Sequence, residues 1–155
     1  MNPSSPTTAL QLRSLVQANG TLQISLELSP VPTPGPDEVL IQVQATPINP
    51  SDIGLLLGPA DLSTVQVTGT AERPVATASI PERAMPGMAA RLGQSMPVGN
   101  EGAGLVVAAG ASPAAQALLG RTVAVIGGAM YSQYRSMPAA QCLPLPPGTT
   151  AAECA

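Results

Sequence analysis

The stretch DEVLIQVQATPINPSDIGLLLG, residues 37–58, sets a strand pattern directly before a helix start. In an extended chain successive side chains point to opposite faces, so Val39, Ile41, Val43 and Ala45 share one face. This pattern predicts a strand that is buried on at least that side. A polar run follows at once, and the change of pattern marks the end of the strand.

The polar run predicts a helix of two turns. Asn49 is a favoured N-cap residue, Pro50 suits the first helical position, and Asp52 suits the first turn. Gly58 can end the helix in a left-handed conformation. The same polar groups would also suit a surface that faces a substrate, and both interpretations stay open on these residues alone.

The rest of the chain favours strands over long helices, since its 155 residues include 18 Pro and 15 Gly. Asn19 and Gly20 are typical of a hairpin turn with positive φ between the first two strands. The segment PERAMPGMAARLG predicts at best a broken helix, because Pro interrupts it. Strands are predicted in LQLRSLV, TLQISLEL, EVLIQVQAT, STVQVT, PVATASI, NEGAGLVVAAG, RTVAVIG, AMYSQYRSM and QCLPLP, with STVQVT and PVATASI paired as a hairpin.

The last residues, GTTAAECA, carry a capping box in which Thr150 is the N-cap and Glu153 stands three positions later. This pattern therefore predicts a helix that begins at the last residues of the sequence. One turn alone is unstable in water. We interpret the chain as a segment of a longer protein, and a disordered tail is the alternative.

Charge and apolar patterning exclude several classes of partner. The net charge is −3 with six basic residues, so no patch could neutralise a row of phosphates, and nucleic-acid binding is not expected. No apolar run is long enough to cross a bilayer, and the N-terminus lacks a secretory signal pattern. Cys142 and Cys154 follow no metal or disulfide spacing, which favours free thiols in a reducing cytoplasm.

Residue counts also exclude several kinds of site. Histidine is absent, which removes Ser-His and Cys-His nucleophiles and every His-based metal site, so no metal ligand is assigned. Without Lys there is no phosphate-binding P-loop. A dinucleotide fingerprint begins at Gly102 and Gly104, but Val107 occupies the place of its last glycine.

Two polar clusters remain as candidate sites. The first consists of Asn49, Ser51 and Asp52, and the second of Asn100 and Glu101 in PVGNEGAGLVVAAG. A local interpretation makes Asn49 a cap, Asn100 a turn residue and Glu101 a solvated side chain. The functional interpretation makes both clusters part of a binding site.

The order of these features resembles a known family. The chain begins with a hairpin and a Pro-Gly connector. These are followed in order by DEVLIQVQATPIN, PSDIGLLLG, PVGNEGAGLVVAAG and RTVAVIG. Apart from residues 59–96, the chain is similar to the N-terminal domain of medium-chain dehydrogenases/reductases, an alcohol dehydrogenase-like superfamily. It looks closest to the zinc-independent quinone oxidoreductases and enoyl reductases.

The resemblance implies a mainly β fold, a GroES-like, partly open β-barrel with short helices. Residues 1–148 would form the substrate-side, catalytic domain, with residues 59–96 as an atypical insertion. Residues 149–155 would begin a helix that leads into a nucleotide-binding Rossmann domain outside this sequence. That domain would bind most of the NADP(H) or NAD(H).

The resemblance also implies roles for the two clusters. In the zinc-dependent branch a Cys stands at the position of Asn49 and a His at that of Asn100, and both bind the metal. Their replacement here predicts a protein without zinc. Asn49 and Ser51 are then the expected catalytic donors. The cofactor-binding residues expected on this side are Asn49, Asp52, Asn100 and Glu101.

The implied activity is NAD(P)H-dependent reduction of quinones, enones or enoyl thioesters by hydride transfer. The substrate would be a small carbonyl compound, and the protein a cytoplasmic homo-oligomer. Related quinone reductases often place a Tyr where this chain has Gly54, and neither Tyr131 nor Tyr134 is expected to be the proton donor. This segment alone is expected to be inactive. The alternative is a non-enzymatic GroES-like module for binding or assembly.

Overall fold

The computed structural model describes residues 6–154, which divide into two compact units. Unit 1 contains residues 6–10, 28–47 and 99–154, and unit 2 contains residues 11–27 and 48–98. The strands are β1 (Thr8–Val16), β2 (Thr21–Pro30), β3 (Glu38–Ala45), β4 (Asp61–Gly69), β5 (Pro74–Ser79), β6 (Ser95–Pro97), β7 (Glu101–Ala109), β8 (Thr122–Ile126), β9 (Tyr134–Pro138) and β10 (Cys142–Pro144). The helices are α1 (Pro50–Leu57), α2 (Pro113–Gln116) and the 3₁₀ helices Glu82–Arg91, Ala139–Gln141 and Ala151–Glu153. The predicted mainly β character is confirmed.

In unit 1 the strand predicted from EVLIQVQAT is β3, which lies between β7 and β9. The sheet order is β10-β8-β7-β3-β9, and every neighbouring pair is antiparallel. Val39 and Ile41 of β3 have no exposed surface, as the one-face pattern predicts. They pack in the apolar cluster of this unit with other aliphatic and sulfur-containing side chains, namely Val106, Ala115, Leu118, Val123, Val125, Met130, Met137, Ala139 and Cys142.

Glycines let β7 lie very close to β3. A Cβ added to Gly104 would collide with the carbonyl oxygen of Gln42 and would lie 2.9 Å from Cγ2 of Ile41. A Cβ added to Gly102 would lie 3.0 Å from the carbonyl oxygen of Ala45. Only glycine fits where two backbones approach this closely. The glycines of NEGAG therefore determine how β7 pairs with β3.

In unit 2 the predicted hairpin is present. The sheet order is β4-β5-β2-β1-β6. The turn between β1 and β2 closes with a hydrogen bond from Gly20 N to the carbonyl oxygen of Gln17 at 3.1 Å. Gly20 has φ 78°, whereas Asn19 does not take a positive φ. The turn therefore needs its left-handed residue at Gly20 alone.

The predicted hairpin in residues 59–96 is also present, as β4 and β5. The broken-helix segment forms the 3₁₀ helix Glu82–Arg91, which contains Pro86. Ala84, Met85 and Met88 of this helix pack on the small buried cluster of Val16, Leu22 and Ile80, together with Leu57 at the end of α1.

One strand prediction is wrong in part. The segment AMYSQYRSM was predicted to be extended throughout, but β9 begins only at Tyr134. Ala129 has φ 58°, a conformation that ends regular strand geometry. Tyr131 therefore lies in an irregular segment ahead of β9 and not in a strand.

The predicted capping box at the C-terminal end forms. The Glu153 carboxylate accepts hydrogen bonds from the backbone N–H and the hydroxyl of Thr150, both at 2.8 Å. These bonds lower the pKa of Glu153. The turn that they cap is the 3₁₀ helix Ala151–Glu153. No helix within residues 6–154 is both long and apolar enough to cross a membrane.

The close approach of β3 and β7 can be tested with two glycine substitutions. Gly104→Ala should lower the free energy of unfolding by about 1–3 kcal/mol, because the new methyl group overpacks a site with no free space. Gly54→Ala is the matched control, since a Cβ there meets nothing within 4 Å. That change should raise the free energy of unfolding by about 0.5–1 kcal/mol, because Gly is unfavourable inside a helix. Urea unfolding of both variants measures this, and equal stabilities would contradict it.

Candidate functional site

The first candidate cluster lies in the first turn of α1, in unit 2. The backbone carbonyl oxygen of Asn49 accepts hydrogen bonds from the backbone N–H groups of Asp52 at 2.9 Å and Ile53 at 3.2 Å. The Asp52 carboxylate accepts a hydrogen bond from the Asn49 backbone N–H at 2.9 Å, within a capping box formed by these two residues. The predicted N-cap is confirmed, and the backbone of Asn49 is held through both of its polar groups.

Side chains of this turn differ sharply in exposure. Asp52 has no exposed surface, Asn49 is half-buried, and Ser51 is exposed. Ile48 and Ile53 are 73% and 43% exposed. The turn thus presents an amide and a hydroxyl beside two apolar side chains. Such a mixture suits a ligand with an apolar body and few polar atoms.

The C-terminal half of α1 contains one departure from the resembled family. Gly54 stands where related quinone reductases often have a Tyr, and a Cβ at this position would meet nothing within 4 Å. Gly58 ends the helix with φ 52° and ψ −136°. Its φ is positive, as predicted, but its ψ lies outside the left-handed helical region, in a conformation that only glycine adopts readily.

The second candidate cluster lies at the start of β7, in unit 1. The backbone carbonyl oxygen of Asn100 accepts hydrogen bonds from the backbone N–H groups of Gly127 at 3.0 Å and Gly128 at 3.3 Å. Glu101 is the first residue of β7 and pairs with Ile126 of β8. Asn100 and Glu101 are both half-buried. The backbone at this cluster is therefore fixed by the neighbouring strand and loop.

Tyr131, which is not expected to be the proton donor, makes structural contacts within unit 1. Its hydroxyl donates a hydrogen bond to the carbonyl oxygen of Pro47 at 2.9 Å. Its ring lies against Gly99, where an added Cβ would come within 2.6 Å of ring atom Cδ1. Gly99 has φ 94°, so this position needs glycine for two reasons. Gly99 was the one sign of this contact in the sequence, because it indicates a position without room for a side chain. Nothing in the sequence indicates that a Tyr packs there.

A cavity of about 450 Å³ opens beside the second cluster, within unit 1. Its wall combines apolar side chains with one carboxyl, one amide and one thiol group. The lining residues are Glu101, Gly102, Ala124, Val125, Ile126, Gln141, Leu143 and Cys154. Glu101 is therefore the member of the second cluster that borders a cavity.

The two cysteines have different surroundings, and both thiols are free, as predicted. Cys142 is buried, and burial raises the pKa of its thiol to about 11. Its thiol donates a weak hydrogen bond to the carbonyl oxygen of Pro138 at 3.5 Å. A thiol with a raised pKa is a poor nucleophile at neutral pH. Cys142 is therefore a core residue of unit 1.

Acidic and thiol side chains do not gather into a metal site in the described part of the chain. Residues 6–154 contain no group of three or more Cys, Asp or Glu side chains that could hold a metal ion. The side-chain amides of Asn49 and Asn100 are weak ligands for zinc compared with thiolate and imidazole.

Comparison with protein families identifies the domain. The model of the alcohol dehydrogenase GroES-like domain matches residues 35–147. The chain belongs to this family, which confirms the predicted fold class and the resemblance to the N-terminal domain of medium-chain dehydrogenases/reductases. No curated protein sequence matches the chain.

Solved structures with the same fold come from larger proteins. A Mesorhizobium loti protein described as a "putative NADPH:quinone reductase" has a TM-score of 0.58 and 24% identity over 96% of this chain. A Bacillus thuringiensis protein with the same description has a TM-score of 0.60 and 20% identity over 94% of the chain. The mycobacterial protein Rv1454c, complexed with NADPH, has a TM-score of 0.51 and 19% identity over 92%. The chain spans 40%, 36% and 34% of these proteins, respectively.

The environments of the two thiols predict their reactivity. Cys154 is exposed, whereas Cys142 is buried and its pKa is raised to about 11. At pH 8 iodoacetamide should therefore modify Cys154 at least about tenfold faster than Cys142, because only the thiolate reacts. Mass spectrometry of the digested protein measures both rates. In denaturant the two rates should converge, and equal rates in the folded protein would contradict the described burial of Cys142.

Proposed function

We propose that this domain is the substrate side of a zinc-independent, NAD(P)H-dependent oxidoreductase that reduces quinones, enones or enoyl thioesters. The observation that carries the proposal is the first turn of α1, where Asn49 is held by its backbone and Ser51 is exposed. Family membership supports it, because the domain type is named after alcohol dehydrogenases. The solved proteins of similar fold that are described as quinone reductases also support it.

The chemistry follows from the residue types in that turn. A dihydronicotinamide supplies a hydride to an electron-poor carbon of the substrate. Negative charge then develops on the substrate carbonyl oxygen, which needs hydrogen-bond donors aimed at it. The amide NH₂ of Asn49 and the hydroxyl of Ser51 can both donate. The exposed Ile48 and Ile53 would contact the apolar part of the substrate.

The other residues of the two clusters would act on the cofactor side. We assign Asn100 and Glu101 to cofactor contacts, with Glu101 at the wall of the cavity in unit 1. Asp52 is buried, so it would act on the cofactor through the position that it gives Asn49. Most of the NADP(H) or NAD(H) would be bound by a Rossmann domain that follows residues 149–155. Residues 1–148 would form the substrate-side domain, and residues 59–96 would be its insertion.

Catalysis without zinc can be tested on the protein that contains this domain together with the proposed nucleotide-binding domain. It should oxidise NADPH or NADH when 1,4-benzoquinone or 2-cyclohexen-1-one is added, and metal analysis after purification without chelator should find less than stoichiometric zinc. Activity that depends on one equivalent of zinc would contradict the assignment. A protein that binds neither nucleotide would favour the non-enzymatic binding module instead.

The proposed catalytic role of the Asn49 side chain can be tested separately from its role as a helix N-cap. Asp is as good an N-cap as Asn, but a carboxylate cannot donate a hydrogen bond. Asn49→Asp should therefore keep the Tm within a few degrees and lower kcat/KM about 100-fold or more, the usual effect of losing one polarising donor.

Ser51→Ala is the comparison variant for Asn49→Asp. Its effect on kcat/KM should be smaller, because water can replace an exposed hydroxyl. An Asn49→Asp protein that is stable and fully active would show that the polar turn serves the helix alone.

A further inference from the structure

Arg91 contacts the end of α1 that lies opposite the proposed catalytic turn. Its Nη2 atom donates hydrogen bonds to the carbonyl oxygen of Leu55 at 2.7 Å and to Oγ of Ser14 at 2.9 Å. The Ser14 hydroxyl in turn donates to the carbonyl oxygen of Leu56 at 3.1 Å. Two carbonyl groups of the last helical turn are thereby satisfied, one directly and one through Ser14.

This contact supplies what α1 lacks in its own sequence. The last carbonyl groups of a helix have no partner within the helix, and a nearby cation interacts favourably with that end of the helix dipole. The last turn of α1, LLL, contains no basic residue. The cation comes instead from the last residue of the 3₁₀ helix Glu82–Arg91, inside the insertion of residues 59–96.

The surroundings of Arg91 are built to hold the guanidinium group in place. Ser14 has no exposed surface. A Cβ added to Gly58 would lie 3.6 Å from Nη1 of Arg91 and 3.7 Å from Sδ of Met88, both ordinary contact distances, so these two side chains lie directly beside the helix end. Nε of Arg91 is buried and has no hydrogen-bond partner among the residues that the structure describes.

Both hydrogen bonds of Arg91 Nη2 go to neutral oxygens. Partial burial lowers the pKa of its guanidinium group, because a cation that loses hydration is costly unless hydrogen bonds offset the loss. The hydrogen bonds from Nη2 to Leu55 and Ser14 offset this loss at the helix end.

We propose that Arg91 is a positioning residue of the active site, through which the insertion of residues 59–96 sets the position of α1. The inference rests on the proposed function for its catalytic consequence. Leu55 and Leu56 belong to the same two-turn helix as the turn that carries Asn49 and Ser51, and a helix this short is marginal without outside contacts, so losing the contact at one end loosens the turn at the other. The insertion is then a support for the catalytic turn and not a dispensable loop.

The test compares Arg91→Ala with Arg83→Ala in the longer protein that contains this domain. Arg83 lies in the same 3₁₀ helix and is exposed, so its removal should change nothing. Arg91→Ala should lower kcat for NADPH-dependent reduction of 1,4-benzoquinone about 10- to 100-fold, the effect expected of a small misplacement of a catalytic group. The KM for NADPH should change less than kcat, because the nucleotide is bound mainly elsewhere.

Hydrogen exchange gives a readout that does not depend on activity. In Arg91→Ala the amide groups of α1 should exchange at least about tenfold faster, since local opening of the helix becomes easier. Millimolar guanidinium chloride should restore both kcat and exchange protection, whereas the same concentration of sodium chloride should not. If Arg91→Ala does not fold, Arg91→Lys replaces it, because a lysine reaches one acceptor and should show a smaller change of the same kind.

The outcomes separate this proposal from the proposed function. Unchanged exchange in α1, or faster exchange with normal kcat, would overturn the positioning role. An unsubstituted protein without NADPH-dependent activity would overturn the proposed function, and the exchange rates would still decide whether Arg91 holds the helix.

Discussion

The close approach of β7 to β3 is the constraint on which unit 1 depends. Gly104 has no room for a side chain against the backbone of Gln42, and Gly102 has little against Ala45. Because β3 pairs with β7 on one side and β9 on the other, the spacing between β3 and β7 determines how Val39 and Ile41 are buried. It also determines where Asn100 and Glu101 stand, since they come directly before and at the start of β7.

In unit 2 the main constraint is the length of α1, which is too short to be stable by itself. At its N-terminus the Asp52 carboxylate returns to the Asn49 backbone, and at its C-terminus Arg91 and Ser14 hold the last carbonyl groups. The support at the N-terminus is local in sequence, whereas Arg91 and Ser14 at the C-terminus are brought by the fold. Leu57 adds the apolar contact that fixes the helix on its unit.

Local patterns predicted most of the elements because their signals lie within a few residues. The cap at Asn49, the turn at Gly20 and the capping box at Thr150 each depend on neighbours no more than four positions away. The strand prediction for AMYSQYRSM was partly wrong, because Ala129 has a positive φ that interrupts the strand. Alanine gives no sign of this conformation in the sequence. A non-glycine residue with positive φ is uncommon and is fixed by its surroundings.

The sequence suggested candidate site residues, but not the distant residues that contact the backbone near them. Tyr131 reaches Pro47 across 84 positions and Arg91 reaches Leu55 across 36, and no local pattern encodes such pairs. Residue types in the sequence indicate which side chains can donate to a substrate. Whether a donor is held still depends on distant residues that show no chemistry of their own. In this domain Arg91, at the end of the 3₁₀ helix Glu82–Arg91, and Tyr131, in an irregular segment, make long-range contacts of this kind.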